Sequence, residues 1–236
     1  VKKYGLNPDR VMDCIIGGII GGVVGARAYY VLLNWNNYAG DWKSILNIRE
    51  GGLAIYGGII GSFLAGLLVA KIRKVKFLPL LDIVGIGFLL GQGIGRWGNF
   101  MNREAFGQYS DGLLAMRLPI EAVRSGEITQ SIASHVVEGT NYIQVHPTFL
   151  YESVWNLSVL LFMLWYRKRK RFDGEMLWIY FLGYGVGRFW IEGLRTDQLK
   201  VPGTALAVSQ LLSAALVGAA VGALTYHYKK LSKKEI

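Results

Sequence analysis

Residues 52–70 read Gly-Leu-Ala-Ile-Tyr-Gly-Gly-Ile-Ile-Gly-Ser-Phe-Leu-Ala-Gly-Leu-Leu-Val-Ala, nineteen residues without a charged side chain. A hydrocarbon core about 30 Å thick needs roughly 20 mostly apolar residues in a helix. The stretch therefore reads as a membrane span. Five more stretches reach comparable length, at about 12–33, 80–101, 149–166, 175–191 and 203–226. The last of these also lacks charge. The others hold Arg27, then Asp82 and Arg96, then Glu152 near its start, then Arg188. The expected fold class is an all-α polytopic membrane protein with six transmembrane helices in this chain.

The chain has 236 residues, 52% of them apolar, with 26 Lys+Arg against 16 Asp+Glu and a formal net charge of +10. Such an excess suits a nucleic-acid surface, but its placement says otherwise. Sixteen of the 26 basic residues lie in the N-terminal tail (Lys2, Lys3, Arg10), the 71–79 and 167–174 loops and the C-terminal tail (Lys229, Lys230, Lys233, Lys234). Seven lie in the alternate loops and three inside spans. Cytoplasmic loops collect Lys and Arg, so the alternation predicts both termini in the cytoplasm and excludes nucleic acid as the partner. The single Cys14 excludes an intrachain disulfide framework and a multi-Cys metal site. Three His (His135, His146, His227) do not make a His-rich one. Cys14 is expected to be an apolar packing residue.

Residues 102–148 form the longest polar stretch. Val136, Val137, Ile143 and Val145, with Gly126 and Gly139, predict a small irregular or strand-containing head facing outward between spans three and four. The domain reading is thus one integral membrane domain, 1–236, with 102–148 as an extracytoplasmic insertion. Trp35, Tyr38 and Trp42 suit the membrane interface on the same side. Asn7-Pro8-Asp9 reads as a loop between helices. Glycines repeat at a spacing of four, as in Gly17/Gly21/Gly25, Gly57/Gly61, Gly87/Gly91/Gly95 and Gly183/Gly187, a pattern that lets helices approach closely in lipid.

Ionisable groups inside spans are costly and face a partner or a cavity. On a continuous helix, Tyr184, Arg188, Glu192 and Arg195 share one stripe, as do Gln92, Arg96, Asn99 and Arg103, at roughly 100° per residue. Both stripes lie toward the outer ends of their spans. Two arginines at one depth suit a phosphate clamp, since a guanidinium forks onto phosphate oxygens. The alternative is internal pairing, Arg188 with Glu192 and Arg96 with Asp82 or Glu104. Spacing leaves both open. His146, just before Pro147 and span four, gains interest from Tyr151 and Glu152.

The run Gly95-Arg96-Trp97-Gly98-Asn99-Phe100-Met101-Asn102-Arg103-Glu104-Ala105-Phe106-Gly107 resembles the signature of bacterial phosphatidylglycerol–prolipoprotein diacylglyceryl transferases. Gly51–Gly58, His146–Glu152 and Tyr184–Arg195 resemble three further segments of that family, in order along the whole chain. The resemblance implies an enzyme of the bacterial plasma membrane with its site toward the extracytoplasmic side. Such an enzyme moves diacylglyceryl from phosphatidylglycerol to the lipobox Cys thiol of a prolipoprotein signal peptide, releasing glycerol phosphate. It further implies that Arg96 binds the lipid phosphate, that Asn99, Asn102, Glu104 and Gly107 form one polar wall, and that Tyr184, Arg188, Glu192 and Arg195 form the facing one. The family has seven helices, so a further first helix is expected before Val1.

Many members carry His where this chain has Tyr56. A phenol is a poor base at neutral pH without help, so Tyr56 and His146 both stand as base candidates. Arg96 and Arg188 are expected to stabilise the leaving phosphate, with Glu104 and Glu192 holding those arginines. No metal or cofactor is called for. The competing reading is a channel or transporter with Arg96 and Arg188 lining a polar path, but the chain's halves show no inverted repeat and the polar stripes cluster near one side.

Overall fold

The computed structural model of this chain describes residues 4–49, 51–136, 139–204 and 206–233, so Lys2, Lys3, Val137 and Lys234 lie outside the described residues. The path is helical. It comprises α1 (Pro8–Leu33), α2 (Trp42–Leu46), α3 (Ile55–Ile72), α4 (Phe77–Asn102), α5 (Gln130–Ala133), α6 (Thr148–Tyr166), α7 (Glu175–Leu194) and α8 (Val208–Ser232). Two short strands, β1 (Met116–Pro119) and β2 (Tyr142–Val145), interrupt it.

Among the described residues, five helices (α1, α3, α4, α6 and α8) are long and apolar enough to cross a membrane. Their outer faces carry side chains such as Ile19, Val24, Ile59, Leu64, Leu161 and Leu212, all exposed. A backbone satisfied within each helix and an apolar exterior are what a lipid solvent requires. The chain is an all-α multi-spanning membrane protein. With 20 residues α7 is long enough, but it is not among the five, because Arg188 and Glu192 dilute its apolar content.

Pro8 and Asp9 belong to the first turn of α1 rather than to a loop. Asn7 caps α1, its Oδ1 accepting from the backbone N–H of Asp9 at 2.9 Å. Asn at the cap and Pro just inside are the residues a helix start favours.

The described residues pack as two compact units, one ending at Leu81 within α4 and one beginning at Asp82. In the first, α1 and α3 touch backbone to backbone. A methyl group on Gly61 would run into the Gly21 carbonyl, and one on Gly57 into that of Gly25. The spacing of four thus places bare backbone on both sides of one contact. The Ala54 N–H then donates to the Ala26 carbonyl at 3.0 Å, fastening the loop before α3 to α1.

Arg27, 8% exposed, completes that fastening. Its Nε donates to Ile45 O at 2.9 Å, its Nη2 to Ser44 O at 2.6 Å, and its Nη1 to Gly51 O and Gly52 O at 2.9 and 3.0 Å. The guanidinium also lies over the Tyr38 ring, 5.1 Å from its centroid. A buried charge is tolerable when its donors are all used, and here four carbonyls take the place of a carboxylate. Only a planar fork reaches carbonyls on both sides of the 44–52 loop.

In the second unit, the Trp155 indole N–H donates to Gly183 O at 2.8 Å, joining α6 to α7, and Gly185 packs against Val217 and Ser213 of α8. The Ser153 hydroxyl donates to Gly93 O at 2.9 Å and accepts from the Trp97 indole at 3.2 Å, joining α6 to α4. Gly87, Gly91 and Gly95 behave differently from the other glycine rows, since among the described residues nothing lies within 4 Å of where their side chains would be. A row of small residues permits a close neighbour but does not supply one.

Between α4 and α6, β1 and β2 pair antiparallel with Met116 opposite Val145. Phe106, Leu118, Ile132, Ile143 and Val145 are buried together beneath them.

Asp82 is fully buried and is not the partner of Arg96. Its carboxylate accepts from the N–H groups of Gly174 and Leu177, both at 3.0 Å, and pairs with Lys170 at 2.7 Å. It therefore caps the start of α7 from α4, where orphan donors and the helix dipole favour an anion.

Two predictions follow from these fastenings. Arg27→Ala is expected to cost on the order of 3 kcal/mol, from loss of charge-assisted hydrogen bonds, and to open the 41–52 loop to protease. Arg27→Lys should recover only part of this, as read by melting in detergent and limited proteolysis. At the other site, burial works against the Lys170 ammonium, but Asp82 and Asp173 outweigh it and hold its pKa above the ordinary lysine value. A raised pKa of this kind stabilises the fold below the unfolded lysine value and is lost as pH rises through the folded one. Melting temperature is thus expected to fall at strongly alkaline pH, and Asp82→Asn should lower it at neutral pH and remove that alkaline component.

Candidate functional site

The end of α4 sets the first wall. Arg96 lies one turn from Asn99, and its Nη1 donates to Asn99 Oδ1 at 3.2 Å. The Asn99 amide donates onward to Glu104 Oε1 at 3.1 Å, and Asn102 donates to the same oxygen at 3.2 Å. Glu104 reaches back because the helix ends sharply. Arg103 and Ala105 adopt φ of 55° and 58°, a left-handed conformation that non-glycine residues adopt at a cost. Arg103 therefore leaves the expected stripe and is exposed. Glu104 does not hold Arg96 directly. It acts through Asn99, while its other oxygen meets the exposed Arg124 at 3.4 Å.

The facing wall comes from α6 and α7. Arg188 Nη2 stands 2.6 Å from Glu192 Oε2, one turn on, in an ion pair whose angle is not that of a hydrogen bond. The helix ends at Leu194, so Arg195 is the residue that caps it rather than a member of its stripe. It still turns back, with its Nε 4.0 Å from Glu192, while its guanidinium grips Asp197 through two bonds of 2.8 and 2.7 Å. Burial opposes the Asp197 anion, but that grip holds its pKa below the usual carboxylate range. Tyr184 stacks on Tyr180 with centroids 5.8 Å apart.

The two walls meet on Glu152. Its Oε1 lies 3.0 Å from Arg96 Nη2, and its Oε2 lies 3.3 Å from Arg188 Nη1. The Glu152 side chain is 3% exposed, against 22% and 16% for the two arginines. The acid expected for Arg96 was Asp82 or Glu104, but it is Glu152. An acid inside a span was visible in the sequence. That it faces both α4 and α7 was not.

Among the described residues, His146 makes no hydrogen bond or ion pair to this ion run. His146 Nδ1 lies 3.2 Å from the Tyr151 hydroxyl, and Tyr151 leads on to Trp190 with centroids 6.2 Å apart. Trp190 is two residues from Arg188 and so points to a different side of α7. Tyr56 stands exposed in the first turn of α3, in the other unit.

Gly107 is a crossing point of backbone. Its N–H donates to His146 O at 3.0 Å, and the next N–H, that of Gln108, donates to Leu194 O at 3.0 Å. A side chain on Gly107 would meet His146 Cβ at 2.7 Å and Leu194 O at 3.0 Å. The signature turn, the start of α6 and the end of α7 are thus tied at one residue. Gly107→Val is expected to force Arg195 and His146 apart. Activity should fall about 100-fold or more, the scale of a 1 Å misplacement near chemistry, while helix content by circular dichroism changes little.

A sequence profile of the family described as prolipoprotein diacylglyceryl transferase matches residues 1–226. The phosphatidylglycerol–prolipoprotein diacylglyceryl transferase of Clostridioides difficile (strain 630) is 40% identical over 233 residues, covering 99% of this chain and 83% of that protein. Transferase 1 of the same description from Clostridium perfringens (strain 13 / Type A) is 43% identical over 223 residues, covering 94% of this chain and 79% of that protein. A Bacillus cereus (strain B4264) protein of that description is 41% identical over 221 residues, covering 92% and 76%. Matches of this extent make this chain a member of the prolipoprotein diacylglyceryl transferase family.

Proposed function

We propose that Arg96 and Arg188 clamp the phosphate of phosphatidylglycerol in the reaction this family performs. The chain is an enzyme that transfers the diacylglyceryl group of that lipid to the cysteine thiol of a prolipoprotein within the bilayer. The thiol sulfur attacks the glyceryl carbon next to the phosphate oxygen. A C–S bond forms, the C–O bond breaks, and the electron pair leaves with glycerol phosphate. The thiol proton passes to a base, and His146 and Tyr56 are the candidates.

The observation that carries the clamp is the meeting of two guanidiniums, from α4 and α7, on one buried carboxylate oxygen pair. Groups that hold an anion in this way present preorganised N–H donors to a leaving phosphate whose charge grows as the bond breaks. Asn99, Asn102 and Glu104 keep Arg96 in place. Glu192 does the same for Arg188, while Tyr184 and Arg195 line the same side. Gly107 sets the backbone on which Arg195 is placed. A thiol of pKa about 8.5 is only partly ionised at pH 7, so a base that takes its proton speeds the attack.

In our reading α7 is a sixth span beside the five apolar ones. Its polar stripe is what a functional face inside a bundle looks like. The basic loops support a cytoplasmic side for both ends of the chain. The ion run lies at the end of α7 away from the basic 167–174 loop, which puts it toward the extracytoplasmic side. Residues 102–148 then form the outward head, inserted in one integral membrane domain spanning 1–236.

Arg96→Ala and Arg188→Ala are each expected to lower transfer by at least about 100-fold, the scale of losing one preorganised donor. The measurement is transfer of labelled diacylglyceryl from phosphatidylglycerol to a lipobox peptide, with the Cys→Ser peptide as control. Near-normal transfer by either variant, inserted and folded, would sink the clamp.

A further inference from the structure

The ion run is balanced without any ligand. Arg96, Arg188 and Arg195 face Glu152, Glu192 and Asp197 in one connected series. A phosphate diester brings one more negative charge into a setting where uncompensated charge is costly. One of the carboxylates must therefore give way.

The positions of the three acids decide which one. Asp197 is gripped by two bonds from Arg195. Glu192 touches Arg188 and Arg195 but not Arg96. Glu152 alone engages both arginines of the proposed clamp, and at 3.0 to 3.4 Å its bonds to them are longer than the 2.6 Å pair of Arg188 with Glu192. It presents two oxygens to two guanidiniums, as the two free oxygens of a phosphate diester would. The remaining N–H groups of both guanidiniums have no protein acceptor among the described residues.

We propose that Glu152 is an internal competitor for the lipid phosphate. It holds Arg96 and Arg188 together when the headgroup is absent, yields them when it arrives, and takes them back to expel glycerol phosphate. This rests on the phosphate-clamp reading. Glu152 is a positioning residue here. It sets the strength of donor binding and product release without touching the reacting atoms. A ligand that must displace an occupant binds with an affinity reduced by the fraction of sites already free, and removing the occupant's charge removes that reduction.

The test is steady-state kinetics on the full chain in phosphatidylglycerol vesicles, with glycerol phosphate as inhibitor. Glu152→Gln keeps the shape and drops the charge. Its KM for phosphatidylglycerol and its inhibition constant for glycerol phosphate are both expected to fall by about tenfold, while kcat falls because product leaves slowly. Glycerol phosphate should also raise the melting temperature of this variant more than that of the parent chain. Glu152→Asp keeps the charge on a shorter stem and should move the same constants in the same direction by less. A merely structural role predicts a raised KM and no tightening of glycerol phosphate.

In the parent chain, glycerol phosphate is expected to shift a carboxylate stretch in infrared difference spectra, a readout that needs no variant. An inhibition constant unchanged or raised in whichever Glu152 variant folds, or no carboxylate shift in the parent, overturns the proposal. If Arg96→Lys and Arg188→Lys leave KM and glycerol phosphate inhibition at parent values, the clamp itself falls. Loss of binding in those variants with no tightening in the Glu152 variants removes only the competitor role.

Discussion

A charge withdrawn from water must be met by an opposite charge or by enough aligned dipoles, and in a helical membrane protein this requirement organises everything polar. Arg96 and Arg188 converge on Glu152, and with them α4, α6 and α7 are held in one relation. Removing one partner of such a buried pair leaves an uncompensated charge, at a cost of about 3–5 kcal/mol. The bundle can therefore keep these arginines only in this arrangement or with another anion in place of the carboxylate. That second possibility is the one the proposed phosphate clamp uses.

Arg27 meets the same requirement by a different route. It has no acid. Four backbone carbonyls from the 44–52 loop surround it, so its charge is used to fold a loop against a helix. Asp82 offers the anionic counterpart, satisfied by two backbone N–H groups at the start of α7 and by Lys170. The three kinds of partner separate the intramembrane charges by task. Backbone partners belong to residues that fasten structure. Side-chain partners that can be exchanged belong to the candidate site.

Glycine has a comparable division. Between α1 and α3, and between α6 and α7, it brings helices into close contact. Gly87, Gly91 and Gly95 show the same spacing on α4 with no neighbour within 4 Å among the described residues. At Gly107 the absent side chain lets three chain segments cross. Spacing records that a side chain is absent. It does not record whether a neighbouring helix, an open face or a crossing segment uses the space.

The sequence by itself determined the five helices long and apolar enough to cross a membrane, because a length of apolar residues matched to the bilayer is a local property. It also determined the topology expectation, since charge counts need no neighbours, and the Arg96 and Arg188 stripes, since helical periodicity is local too. The family signature made the activity legible in the same way. What only the tertiary structure decided was pairing. Glu152 was in view as an acid inside a span, yet its two arginines lie 56 and 36 residues away along the chain. Likewise Asp82 stood as one possible acid for Arg96, while its real partners lie at and just before the start of α7. Arg103 left its stripe because two left-handed residues end the helix early. Side-chain pairing depends on which faces the packed helices turn toward one another, and periodicity along a single helix does not contain that information.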